Sequence, residues 1–359
     1  GDVYKRQHRV WADRESDDRR APSIPDGITL LQEIFGEAGW TTAAVTGGAW
    51  MSSSYGFSRG FDHFSDQGVD AGQGAALFVE TLESAMAEGR PVFALFHTYE
   101  VHSPYLPPEG YGALFGTYSS DIKPTWNALQ PFSHSATRDL ADSDLEFLVS
   151  QYDGEIRFLD DQLRRLFSKL EATGFLDNAV VLVTADHGEE FGDHGGLLHR
   201  GTLFEELVRV PFIVWGRGVR SGVVDPTLVS TIDIAPTLLT AAGLDPPAAM
   251  EGRDVLTPSP VPWAGQRVFA QCRDALYSLR TPRFKLIRGP GDQIKLFDLE
   301  GDPRERRNLA SARPDLANEL SSELEAWRRD RPRMPGEGSS TTELDPATEE
   351  RLRALGYLD

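Results

Sequence analysis

A chain of 359 residues has room to bury one large domain and a smaller one, and its 40% apolar and 25% charged content is ordinary for a globular protein. A formal charge of −19 argues against a nucleic-acid partner, because phosphate binding is driven largely by clustered Lys and Arg, and it demands local positive charge wherever an anion is to bind. Cys272 is the only cysteine, which excludes an intrachain disulfide and a cysteine zinc cluster. No run approaches the roughly eighteen apolar residues of a membrane-spanning helix, so no span is expected in this portion.

The chain opens on GDVYKRQ, and Arg and Asp then dominate up to Arg20, without the apolar stretch that follows the basic start of a signal peptide. Back-translated, DVYKRQ resembles a transposon-end adapter used in building sequencing libraries. Gly1 to Gln7 are therefore read as a processing scar, with the native chain starting mid-gene near His8. From Gly27 the apolar set Leu30, Leu31, Ile34 and Phe35 recurs at helical spacing, and TTAAV follows as a buried strand. AALFVETLESAMAEG reads as a helix ending at Gly89, and PVFALFHTY as the next strand. Ile156, Leu159, Leu163, Leu166 and Leu170 form one helical face, Gly174 is available as a C-cap, and AVVLVTAD is the strand behind it. VPFIVWG and DIAPTLLTAAG complete the series, with Pro236 near the helix start and Gly243 at its end. Helices alternating with near-continuous Val/Ile/Leu strands imply an α/β domain with a mostly parallel sheet covered on both faces.

After the Pro-rich linker TPSPVPWAG the pattern changes to short alternating segments between turn residues, an antiparallel meander from Ala275 to Pro303. Leu316, Leu320, Leu324 and Trp327 lie on one side of a helix that would cover it. PRMPGEGSSTTELDP reads as a loose polar tail before a short terminal helix. The expected organisation is a scar (1–7), an α/β domain (8–258), a small antiparallel sheet-and-helix subdomain (259–331) and a tail (332–359).

Ligands of open α/β sheets bind outside the carboxyl ends of strands. Asp186 and His187 follow AVVLVT, with His194, His199 and Arg200 farther along that loop, and His102 follows PVFALFHTY in a loop stiffened by prolines. Five of the eight histidines, His97, His102, His187, His194 and His199, thus fall in two segments predicted to share one edge. His97 lies inside the strand run and reads as a packed, hydrogen-bonded residue. His194, in a glycine-rich loop, fits a solvated residue as well as a functional one. His102 and His199 have no apolar periodicity to explain them and are read as functional.

The segments LVTADHGEEFGDHG, HSPYLPP, LHRGTLFEELVRVPFIVWG, STIDIAPTLLTAAGL, EGRDV and LFDLEGDPRERRNLA, with GFSRGFDHF upstream and ERLRALGYLD at the end, resemble the sulfatase branch of the alkaline phosphatase superfamily. The resemblance implies the alkaline phosphatase-like fold and hydrolysis of a small-molecule or glycan sulfate monoester by a formylglycine made from Cys or Ser in a C/S-x-P/A-x-R motif. It also implies one divalent cation, calcium first and magnesium or manganese as alternatives. Asp186 and His187 match a metal-ligand pair; His102 and His199 would lie around the sulfate, one of them as general acid, with Arg200 adding positive charge. Periplasmic or secreted location follows by analogy.

Departures are specific. The first Asp pair and the nucleophile motif of the family are absent; the surroundings of Cys272 and Ser23 do not fit the motif, so the nucleophile is expected upstream. Near VTGGAWMSS some sulfatases carry a substrate-touching Lys and His, where this chain has Gly48 and Trp50. Two-metal phosphodiesterases of the superfamily carry D-x-x-x-H before the Asp-His strand. Here Asp153 is followed by Arg157, which cannot ligate a metal at neutral pH. A phosphodiesterase or phosphoethanolamine transferase, and a catalytically dead binding or scaffold protein on the same fold, stay open as alternatives.

Overall fold

The computed structural model describes residues 20–25, 27–68, 70–118, 120–133, 140–199, 201–258, 263–272, 276–330 and 341–355. The proposed scar and Arg200 lie outside the described residues. The described parts of 4–131, 138–177 and 334–359 form one compact unit, and those of 132–137 and 178–333 a second.

In the first unit β1 (Arg20–Pro22), α1 (Leu31–Glu37), β2 (Thr41–Val45), β3 (His63–Ser65), α2 (Ala71–Met86), β4 (Val92–Phe96), α3 (Trp126–Leu129) and α4 (Asp142–Ala172) follow in order. The strands make a parallel sheet in the order β3-β2-β4, Ala43 standing opposite His63 on one side and Ala94 on the other. β2 is central and wholly buried, and its Thr hydroxyls are satisfied, Thr42 Oγ1 donating to the Gly60 carbonyl at 2.8 Å. The period of two in β4 sorts its residues between layers. Val92, Ala94 and Phe96 pack against Phe78 and Leu82 of α2 and Leu166 and Leu170 of α4. Phe93 faces the opposite way, stacking on Phe35 of α1 with centroids 4.3 Å apart. Both faces of the sheet therefore carry helices. The apolar stripe read on α4 continues only through Leu163, Leu166 and Leu170; Ile156 is 43% exposed, because the N-terminal half of this 31-residue helix buries a different set, Leu148, Gly154 and Glu155.

The second unit contains β5 (Val180–Thr184), β6 (Glu190–Phe191), β7 (Leu197–Leu198), α5 (Glu205–Val208), β8 (Phe212–Gly216) and α6 (Ile234–Ala241). β8 runs antiparallel to β5, where the α/β pattern predicts parallel pairing. Its C-terminal part is the expected meander, an antiparallel sheet β12-β11-β10-β9 of β9 (Val268–Cys272), β10 (Leu276–Arg280), β11 (Phe284–Arg288) and β12 (Ile294–Asp298), followed by α7 (Pro314–Arg329). Leu320 and Leu324 of α7 close over Leu279, Leu286 and Leu296, with Leu316 and Trp327 at the margin. The chain then returns to the first unit. β13 (Thr341–Glu343) pairs antiparallel with β1, and α8 (Pro346–Ala354) buries Leu352 against Ala49 and Tyr55. The end of the expected polar tail is thus a structural element, anchored by Leu352 with Leu344 and Leu355 packed beside it.

Among the described residues no helix is long and apolar enough to cross a membrane. Leu324 is fully buried. Leu324→Ala is expected to lower unfolding free energy by about 2–5 kcal/mol, measured by urea denaturation.

Candidate functional site

β5 stops at Thr184, and Asp186 and His187 follow at its end. His187 Nδ1 donates to the Gly188 carbonyl at 2.8 Å, which leaves Nε2 as the lone-pair nitrogen. That Nε2 lies 3.7 Å from Asp186 Oδ1, so a carboxylate oxygen and an imidazole nitrogen converge. Burial, reinforced by the neighbouring His199, holds His187 below its ordinary value against the pull of Asp186 and Glu189, favouring the neutral ring a cation requires. Gly188 has a steric reason to be glycine. Its N–H donates to the Leu207 carbonyl at 2.9 Å, and a Cβ there would stand 2.0 Å from the Glu206 carbonyl oxygen.

The loop continues into the hairpin β6–β7, which presents His199. Its tip bends through Gly192 and Gly195, both at positive φ, and is gathered by the buried Glu190, whose Oε1 accepts from the backbone N–H of His194 and of Gly196, each at 2.9 Å. Leu198, fully buried, takes φ +68°, a conformation costly for a residue with a Cβ, and it turns the next residue back toward the strand end. The rings of His199 and His187 then stack with centroids 4.0 Å apart. Glu189, 3% exposed, accepts from His199 Nδ1 at 3.2 Å and fixes that nitrogen as the protonated one. Asp186, His187 and His199 are therefore brought together.

His194 resolves differently. It stacks face to face on Phe204 at 3.5 Å, Nδ1 meets Glu206 Oε1 at 2.6 Å, and Nε2 donates to the Glu305 carbonyl at 3.1 Å. It is a structural bridge rather than a solvated loop residue. Burial disfavours its charged form, but Glu206 and the Glu305 carbonyl outweigh that and raise it above its ordinary value.

His102 belongs to the first unit. It follows Val101, a β-branched residue at φ +72°, and its Nδ1 donates to the Ser103 carbonyl at 2.6 Å. Its ring stacks on the buried Trp126 at 6.1 Å and meets Tyr99 edge-on at 5.9 Å. His97, just past β4, accepts from the Gly47 N–H at 3.4 Å and packs edge-on against Tyr99. Arg200 lies outside the described residues. Glu189, Glu190 and Glu206 were not singled out from sequence, although the first two stand beside the Asp-His pair.

A divalent cation suits the Asp186–His187 donor set, one hard oxygen and one imidazole nitrogen whose tautomer is already set. Among the described residues no group of three or more His, Cys, Asp or Glu side chains gathers as metal ligands.

Fold and site together define an α/β protein that offers a carboxylate–imidazole pair at the carboxyl end of a strand. The family model named Sulfatase matches residues 4–244, and the chain belongs to that family. Mouse arylsulfatase K is 26% identical over 210 residues, 54% of this chain and 38% of that protein. The multifunctional alkaline phosphatase superfamily protein PehA of Trinickia caryophylli is 24% identical over 291 residues, 67% of this chain and 56% of that protein. The chain thus spans less than two thirds of these relatives' length. Among solved structures, BT4656 in complex with its substrate D-glucosamine-2-N,6-O-disulfate has a TM-score of 0.66 at 19% identity, covering 87% of this chain and 84% of that one. The phosphonate monoester hydrolase of Agrobacterium radiobacter has a TM-score of 0.67 at 18% identity, covering 91% and 84%. At such identities the structures establish the shared alkaline phosphatase-like fold.

Because the folded ring of His194 holds its proton more tightly than the unfolded one, its contribution to stability is complete below pH 6.5 and is lost as pH rises through the raised folded value. The stability margin of the native chain over His194→Gln, measured by urea denaturation at a series of pH values, is expected to shrink in that direction. Gly188→Ala is expected to destabilise the chain at every pH, since the Glu206 backbone cannot withdraw as a flexible side chain would.

Proposed function

We propose that the whole protein hydrolyses a sulfate monoester with the help of one divalent cation, calcium being the first candidate and magnesium or manganese the alternatives. The observation that carries this reading is the Asp186–His187 pair at the end of β5, with the His199 ring stacked 4.0 Å away, in a chain of the Sulfatase family. Asp186 and His187 would hold the cation, whose charge would neutralise sulfate oxygens as the S–O bond breaks. His199, oriented by Glu189, is assigned to the sulfate. His102 is assigned to the anion or the leaving oxygen as general acid, and Arg200 to local positive charge, both on the family resemblance. The C/S-x-P/A-x-R motif does not occur in the 359 residues, so the proposal takes its formylglycine nucleophile from outside them. Export to the periplasm or the medium belongs to the same reading.

Sulfated glycans are the first substrates to test. The BT4656 structure holds D-glucosamine-2-N,6-O-disulfate, and a further relative, 29% identical over 180 residues, is the N-acetylglucosamine-6-O-sulfatase of Bacteroides thetaiotaomicron. Phosphate or phosphonate ester chemistry is the second reading, favoured by the likeness to PehA and to phosphonate monoester hydrolase. Its two-metal form is disfavoured by Arg157, which pairs with Asp161 at 3.3 Å, one turn along α4, at a place where a histidine ligand would be needed.

In the whole protein, Asp186→Ala is expected to remove the divalent metal and ester hydrolysis together. Metal stoichiometry by mass spectrometry beside turnover of aryl and glycan sulfates checks this, and undiminished metal content rejects the assignment. His102→Ala is expected to lower kcat by about 10²–10⁴-fold, the range of a lost general acid. Sulfate ester turnover that persists at the native rate removes His102 from the chemistry, and a whole protein without any ester turnover points to the scaffold alternative.

A further inference from the structure

The segment LFDLEGDPRERRNLA contributes nothing to the proposed chemistry directly, yet it contains the most unusual buried group among the described residues. The Glu305 side chain is 0% exposed, and its backbone adopts φ +54°, a strained conformation for a residue with a Cβ. Lys285 of β11, 1% exposed, places Nζ 3.0 Å from Glu305 Oε1 and 3.0 Å from Glu205 Oε1. The N–H of Glu205 donates to Glu305 Oε2 at 2.6 Å, and Arg280 Nε lies 3.7 Å from Glu205 Oε1. One cation and one carboxylate, Lys285 and Glu305, are thus buried, with Glu205 and Arg280 half-buried beside them, where apolar side chains of similar volume would serve stability as well.

The group is continuous with the strand-end pair. The Glu305 carbonyl accepts from His194 Nε2, whose other nitrogen meets Glu206, and the backbone of Glu206 and Leu207 is what Gly188 abuts. Gly188 in turn supplies the carbonyl that sets the His187 ring.

We infer that Lys285, Glu305 and His194 are positioning residues, which lock the Glu205–Leu207 segment so that Gly188 fixes the orientation and tautomer of His187 as a metal ligand. This rests on the reading of His187 as a ligand given above. The C-terminal sheet is then the rigid support of the metal pair, and Lys285, with no direct contact to His187, acts through Glu305, His194 and the Glu206–Leu207 backbone.

The test substitutes Lys285→Met, the pair Lys285→Met/Glu305→Gln, and His194→Gln, each confirmed folded by circular dichroism. The first readout is the ¹⁵N shifts of the His187 ring in histidine-labelled chain, assigned with His187→Gln. The second is Mn²⁺ affinity of the whole protein by electron paramagnetic resonance. The native ring is expected in the Nδ1–H tautomer, the variants in a mixture, and Mn²⁺ affinity is expected to fall by about 10–100-fold, the usual effect of losing a partner behind a ligand. Should Lys285→Met fail to fold because it strands two carboxylates, the double variant or His194→Gln decides. Folded variants with native His187 shifts and native Mn²⁺ affinity overturn the inference. Altered ring shifts with native affinity keep the relay and remove His187 from the metal.

Discussion

The site depends on a contact that leaves no room for a side chain. Where β5 ends, Gly188 lies against the backbone of Glu206 and Leu207, closely enough that a Cβ would stand 2.0 Å from a carbonyl oxygen. Because that surface is main chain, it cannot swing aside, so the turn after β5 has one seating. The consequence reaches the imidazole in a single step: the Gly188 carbonyl selects the nitrogen of His187 that keeps its proton, and so the one that carries the lone pair.

A chain of formal charge −19 has to manage its own field. Here the carboxylates nearest the site are engaged with particular imidazoles: Asp186 with His187, Glu189 with His199, Glu206 with His194. Each acid lies against one ring, and the charge of Glu206 is offset by His194, whose charged form is favoured. The three rings differ in fate through their surroundings. His187, half-buried beside another imidazole, favours neutrality, whereas His194 between Glu206 and the Glu305 carbonyl favours charge.

Backbone strain follows the same geography. Among the described residues, four that are not glycine have positive φ: Ala49, Val101, Leu198 and Glu305. Val101 directly precedes His102 and Leu198 directly precedes His199, while Glu305 sits in the buried ion cluster. Such conformations survive only where packing over-determines them, and Leu198 and Glu305 are buried accordingly.

The sequence by itself determined the elements and the residue types offered at their ends. Apolar periodicity marked α2, β4, β5 and α7, and the polar run after β5 exposed Asp186, His187 and His199, because no core would demand such residues there. It did not determine that β8 runs antiparallel to β5, since a buried strand reads the same in both directions, nor that Ile156 is exposed while Leu148 and Glu155 of the same helix are buried, nor that Thr341–Glu343 adds a strand too short to show a period. The partners Glu206, Glu305 and Lys285 were equally illegible. Lys285 and Glu205 are 80 residues apart and His194 and Glu305 are 111 apart, so their meeting is a property of how the second unit packs. Local pattern reports which face of an element is apolar; which charges share a buried space, and which nitrogen of a ring keeps its proton, is decided only when the chain has closed on itself.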